Sequence, residues 1–118
     1  MNAVERLWRA IRREDWAAAL AQLEEHAVIR WPHTDERFDR AEDYVVAHRL
    51  DAQRRAAVDV RRTVSEGYDV AVWAVVRYAE DDETWHCAGV YELQNARIAH
   101  AVEVWTREGA EPVPRFRV

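Results

Sequence analysis

The sequence predicts an α+β domain in which helices cover a curved antiparallel sheet. Two observations carry this. Helical periodicity is confined to the first 52 residues, and everything after about Ala56 is rich in valine and aromatics, broken only by short turns. Segregated helices and consecutive strands bury their apolar faces most simply by stacking the helices on one side of one sheet.

Val4, Leu7, Trp8 and Ile11 repeat at i, i+3, i+4, i+7, with Glu5, Arg6, Arg9, Arg12 and Arg13 opposite, which predicts a first amphipathic helix. Asp15 is placed to cap a second, from Trp16 to about Glu25, with Trp16, Ala19, Leu20 and Leu23 on one face. From Ala27 to Trp31 the period changes to two, and Pro32 ends that strand. The stretch RWPHTDERF then reads as a connection into a third helix. Asp39 and Glu42 have capping-box spacing for it, and Ala41, Tyr44, Val45, His48 and Ala52 follow. Tyr44 and His48 share a face of that helix.

The segments VDVRRTV, YDVAVWAVVRY, TWHCAGVYEL and ARIAHAVEVW are predicted strands. Breaks at Glu66-Gly67, Glu80 to Glu83 and Asn95-Ala96 are short enough for an antiparallel meander. The tail TREGAEPVPRFRV should run irregularly over the surface.

At 118 residues the chain is expected to form one domain, 1-118, burying roughly two thirds of the surface its unfolded form exposes. Its single cysteine, Cys87, allows no internal disulfide, and no stretch approaches the ~20 apolar residues of a membrane span. A cytoplasmic protein without membrane contact is the expectation. The net charge of −5 supplies no field for phosphate backbones, so nucleic acid is not an expected partner. All 17 basic residues are arginine, which removes lysine-based Schiff-base or P-loop chemistry.

Residues capable of chemistry are few. On the last strand Ala99, Ala101, Glu103 and Trp105 share one face, and the small alanines leave room beside the carboxylate. If that face lines a pocket, apolar surroundings should raise the Glu103 pKa toward neutrality, which suits proton transfer; the bland alternative is an outward glutamate. His48 is its best partner on the third helix, with Tyr44 one turn away, although a core histidine bonded to backbone is an ordinary alternative. Trp31, Trp73, Trp85 and Trp105 come from four different strands and are expected to converge on one cavity, with His33 at its rim. No histidine has a paired ligand spacing, so neither a metal nor a cofactor is expected. Valines on both faces of the late strands call for a second cover, and a sheet-to-sheet homodimer would supply it.

Several segments in register resemble the nuclear transport factor 2-like superfamily, in its bacterial SnoaL-like branch of polyketide cyclase relatives. VERLWRAIRREDWAAALAQLEEHAVIRWP resembles the opening helix, break, helix and strand of that group. WPHTDERFDRAEDYVVAHR is similar to its Trp-Pro…Glu-Arg…Gly-Arg-Glu-Asn segment. VYELQNARIAHAVEVW stands where Glu-Phe-Arg-Asp-Gly-Lys-Ile and Asp-Tyr-Trp are usual, and EPVPRFR resembles the closing segment. The resemblance implies a cone-shaped fold, three N-terminal helices on a curved antiparallel sheet, and a homodimer. It also places Glu103 where SnoaL-type cyclases carry an acid/base aspartate. Where the ketosteroid isomerases of this group carry a tyrosine and two aspartates, this chain has Leu7, Trp31 and Gly89, so isomerase chemistry of that type is not expected.

Two classes remain open from sequence. One is a binder of a small hydrophobic molecule that performs cofactor-free acid/base catalysis of cyclase, isomerase or dehydratase type on a hydrophobic carbonyl compound. The other is a non-catalytic ligand-binding or protein-interaction module.

Overall fold

The structure, a computed structural model, describes residues 1–109, so most of the predicted irregular tail lies outside the described residues. The elements run α1 (Ala3–Arg13), α2 (Trp16–Ala21), β1 (Leu23–Trp31), β2 (Glu36–Phe38), α3 (Ala41–Ala52), β3 (Arg55–Glu66), β4 (Asp69–Tyr78), β5 (Thr84–Gln94) and β6 (Arg97–Arg107).

Helix α1 is the predicted amphipathic helix, and Val4, Leu7, Trp8 and Ile11 are all buried. Asn2 and Glu5 form a reciprocal capping box at its start, and Glu14 ends it in a left-handed conformation. Asp15 caps α2 as expected, its Oδ1 accepting from the Ala18 N–H at 3.1 Å. That helix stops at Ala21, earlier than its periodicity suggests. Leu23 already pairs with Ile98, and the Ile98 N–H donates to the Gln22 carbonyl at 2.9 Å. Sheet pairing by the strand thus takes the residues that helical spacing alone would have kept.

One six-stranded sheet has the order β2-β1-β6-β5-β4-β3. The predicted meander holds for β3 to β6, each paired antiparallel with the next. The sheet is nevertheless mixed and not wholly antiparallel, because β1 lies parallel to β6. Alternation reports which face a side chain takes and not which way the neighbouring strand runs, so this pairing is silent in the sequence.

RWPHTDERF is more than a connection. Trp31 pairs with Glu36 and Ile29 with Phe38, so the segment folds back as a hairpin whose turn includes Asp35 at positive φ. The Asp39–Glu42 capping box does not form. Asp39 instead accepts from Arg37 Nε at 2.6 Å, and α3 begins after Arg40 without a side-chain cap. In the β5–β6 turn both Asn95 and Ala96 have positive φ, as a two-residue hairpin turn requires.

The sheet's two faces differ sharply. Val70, Val72, Ala74 and Val76 of β4, Cys87 and Tyr91 of β5, and Ala101, Glu103 and Trp105 of β6 are buried, in one core cluster with the helical residues apart from Glu103. The opposite parity leaves Val90, Val102, Val104 and Trp73 exposed. Among the described residues no helix is long and apolar enough to cross a membrane.

Candidate functional site

Glu103 lies on the inward face of β6 and is completely buried. Its carboxylate is held from three elements. Tyr44 of α3 donates its hydroxyl to Oε2 at 2.8 Å, Tyr91 of β5 donates to the same oxygen, and Trp31 at the end of β1 donates Nε1–H to Oε1 at 2.9 Å. Trp8 of α1 donates in turn to the Tyr91 hydroxyl at 3.0 Å, which fixes that ring. Gly89, directly opposite Glu103 in the β5–β6 register, makes the arrangement possible: a Cβ there would meet the Tyr91 hydroxyl at 2.5 Å. The position that the sequence resemblance sets against an isomerase aspartate thus leaves space for the tyrosine ring.

Burial by itself pushes the Glu103 pKa up, but the neighbouring imidazole and the donated hydrogen bonds outweigh it and hold the carboxyl below its ordinary value. The expectation of a raised value is therefore corrected. It counted the tryptophan and alanine neighbours as apolar walls, whereas the indole of Trp31 and two phenols supply hydrogen bonds that favour the charged form. Burial beside this carboxylate pushes the Tyr44 and Tyr91 hydroxyls well up, so both remain donors.

His48 is buried one turn from Tyr44 on α3. Its Nε2 is 3.9 Å from Glu103 Oε1, within Coulombic reach but too far for a hydrogen bond. Arg55 Nη2 lies 3.0 Å from His48 Nδ1. A guanidinium only donates, so Nδ1 must accept, and the neutral ring carries its proton on Nε2, facing Glu103. Burial, aided by the Arg55 charge, holds the His48 pKa below its ordinary value and outweighs the pull of Glu103.

Arg55 continues the chain outward. Its Nε donates to Asp51 Oδ2 at 2.8 Å, Arg54 Nη2 donates to Oδ1 at 2.9 Å, and the Tyr78 hydroxyl donates to Oδ2. These contacts outweigh the partial burial of Asp51 and lower its pKa, while burial and the same hydrogen bond push Tyr78 up to about 12.

Asp51, Arg55 and Tyr78 face a cavity of about 540 Å³. Trp31, Trp85 and Trp105 wall it, and His33 lies at its edge. Four of the five predicted ligand-binding residues are therefore together. Trp73 is not among them. Val72 and Ala74 take the inward parity of β4, so Trp73 points outward, 45% exposed, stacked on His86 and donating to His86 Nδ1 at 3.0 Å. Glu103, His48 and Tyr44 do come together as predicted, yet none of them lines the cavity. They lie behind Trp31 and Trp105, whose rings are 5.8 and 6.0 Å from the His48 ring.

Four participants were not singled out from sequence. Tyr91 shares the inward parity of Cys87 and Gly89 on β5, a signal available in the alternation. Asp51 stands three and four residues before Arg54 and Arg55, the spacing of helical ion pairs. Nothing local marks Arg55 as buried or Tyr78 as its neighbour.

No protein-family profile matches the chain, and no curated protein matches it in sequence. Its fold is widely shared among solved structures. An NTF-2 like protein of Burkholderia xenovorans superimposes with a TM-score of 0.78 at 19% identity, covering 98% of this chain and 87% of that one. An LEH-like epoxide hydrolase of M. tuberculosis gives 0.72 at 20%, covering 88% and 80%. A SnoaL-like protein of Shewanella denitrificans gives 0.74 at 8%, covering 88% of each. Helices packed on a curved, unclosed sheet, with a cavity beside the last strand, give this chain the nuclear transport factor 2-like cone fold.

Proposed function

We propose that the protein is a SnoaL-like binder of a small hydrophobic molecule, acting as a homodimer, and that the cavity walled by Trp31, Trp85 and Trp105 is the binding site. The carrying observation is the combination of that aromatic cavity with a candidate acid whose two oxygens are already engaged by three protein donors. A cavity of this size and lining suits a compact apolar ligand held by a few polar groups. The homodimer reading is supported by the outer face of the sheet, where Val64, Trp73, Val90, Val102 and Val104 are exposed together with no covering element among the described residues. A cytoplasmic location suits the single buried thiol of Cys87.

A second reading, cofactor-free acid/base catalysis on a hydrophobic carbonyl compound, is favoured by Trp31. Its indole both faces the cavity and donates to Glu103, so a rotation of this one side chain would bring the carboxylate to a ligand. Glu103 would then act as the base, with Tyr44 or His48 polarising the carbonyl.

Native mass spectrometry of the purified protein, combined with titration of a hydrophobic fluorescent probe, tests the binding reading. Trp85→Ala is expected to weaken probe binding several-fold, and Trp73→Ala, on the outer face, to leave it unchanged. Equal affinities in all three proteins would overturn the assignment of the cavity.

A further inference from the structure

Three buried side-chain nitrogens have no partner among the described residues: His48 Nε2, which faces Glu103 behind the cavity wall, and the pair Arg55 Nη1 and Trp105 Nε1. Both residues line the cavity, and the Arg55 guanidinium carbon sits 5.9 Å from the Trp105 ring. The Arg55 side chain is only 5% exposed, so its unused donor group is not compensated by bulk water. Leaving such a group unpaired is costly, more so when it is charged, and folded chains rarely tolerate this without a reason. Two unpaired donors on neighbouring cavity residues call for an acceptor from outside the described residues.

The charge balance indicates what kind of acceptor. Arg54 and Arg55 both pair with Asp51, Glu103 lies buried behind them, and the cavity lining adds the carboxylates of Glu36, Asp81 and Glu83, of which Glu83 meets one further arginine, Arg107. An anionic ligand would therefore enter a field already negative. A cationic one would leave both N–H groups unsatisfied, since neither can accept. An uncharged oxygen acceptor fits both constraints.

Building on the cavity assigned above, we propose that Arg55 and Trp105 form a donor pair that recognises a single carbonyl-type oxygen on an uncharged hydrophobic ligand. The ligand's apolar body would lie against Trp31 and Trp85. The pair sets specificity: it rewards the ketone, aldehyde, ester or amide over the hydrocarbon of the same shape, and the negative surroundings disfavour the acid.

Three probes of matched skeleton, acetonaphthone, naphthoate and ethylnaphthalene, test this by titration of tryptophan fluorescence and by calorimetry on the intact protein. Acetonaphthone is expected to bind about tenfold more tightly than ethylnaphthalene, the size of one hydrogen bond to a charged donor, and more tightly than naphthoate. Arg55→Leu should bring the ratio of ketone to hydrocarbon affinity close to one. Because Arg55→Leu also strands Asp51 and can disturb folding, Trp105→Phe serves as the second variant. It removes one donor, keeps an aromatic ring, and should lower the ratio of ketone to hydrocarbon affinity, which a change in wall shape common to both probes would leave as it was. Equal binding of ketone and hydrocarbon, or tightest binding of naphthoate, overturns the donor pair while leaving the cavity reading in place. Failure of all three probes to bind overturns the cavity reading, and the donor pair falls with it.

Discussion

The inner and outer faces of one sheet solve opposite problems with the same strands. On β6 the inward parity carries Ala101, Glu103 and Trp105, and the outward parity carries Val102 and Val104. The face that is sealed from water holds the polar network, and the face open to water holds the valines. A buried carboxylate survives because three donors converge on it. Exposed valines persist in a soluble fold only at modest patch size or under a partner. The inner face therefore depends on geometry fixed within the monomer, whereas the described residues leave the outer face uncovered.

The largest effect should come from breaking the inner face. Glu103→Gln keeps the shape but turns one acceptor oxygen into an amide donor facing Trp31 or the two tyrosines, so it is expected to cost about 3 kcal/mol of stability. Urea or thermal unfolding measures this. An unchanged midpoint would show that the network is not what holds the face together.

The outer face should respond differently. Val90→Arg combined with Val104→Arg, both exposed, is expected to abolish the proposed dimer while circular dichroism remains that of a folded chain. Sedimentation or light scattering decides the matter. A wild-type monomer, or a variant dimer as stable as the wild type, would remove the assembly from the proposal.

The smallest effect is on pH dependence, and it separates the faces again. His48 titrates in the folded chain below its ordinary value of 6.5, so the unfolded chain binds the proton first as pH falls. Its contribution to stability is intact above about pH 6.5 and is lost as pH drops from there toward the folded value. The lowered Glu103 pKa adds a second loss of the same sign below about 4.5. In His48→Gln the unfolding temperature should therefore decline less between neutral pH and pH 5 than in the wild type. Parallel profiles for the two proteins would mean that His48 does not titrate in this range.

Local periodicity made much of the molecule readable from sequence: α1 and its buried row, the Asp15 cap, the β3–β6 order, and the parity that turns Glu103 and Trp105 inward. The same parity, applied to β4, would have turned Trp73 outward, because Val72 and Ala74 flank it. The cluster of Tyr44, His48 and Glu103 was also within reach, since helix face and strand face each follow from spacing over a few residues. What the chain does at that cluster was not. The contacts that decide it join Trp31 to Glu103 across 72 positions and Tyr44 to Glu103 across 59. Parallel pairing of β1 with β6, which carries Trp31 to the carboxylate, leaves no mark in either strand. Sequence alone thus determined which residues face inward. Only the tertiary structure decided that the inward carboxylate is hydrogen-bonded rather than apolar in its surroundings, and that Arg55 is buried with a donor to spare, because both depend on which distant strands and helices come within hydrogen-bonding distance.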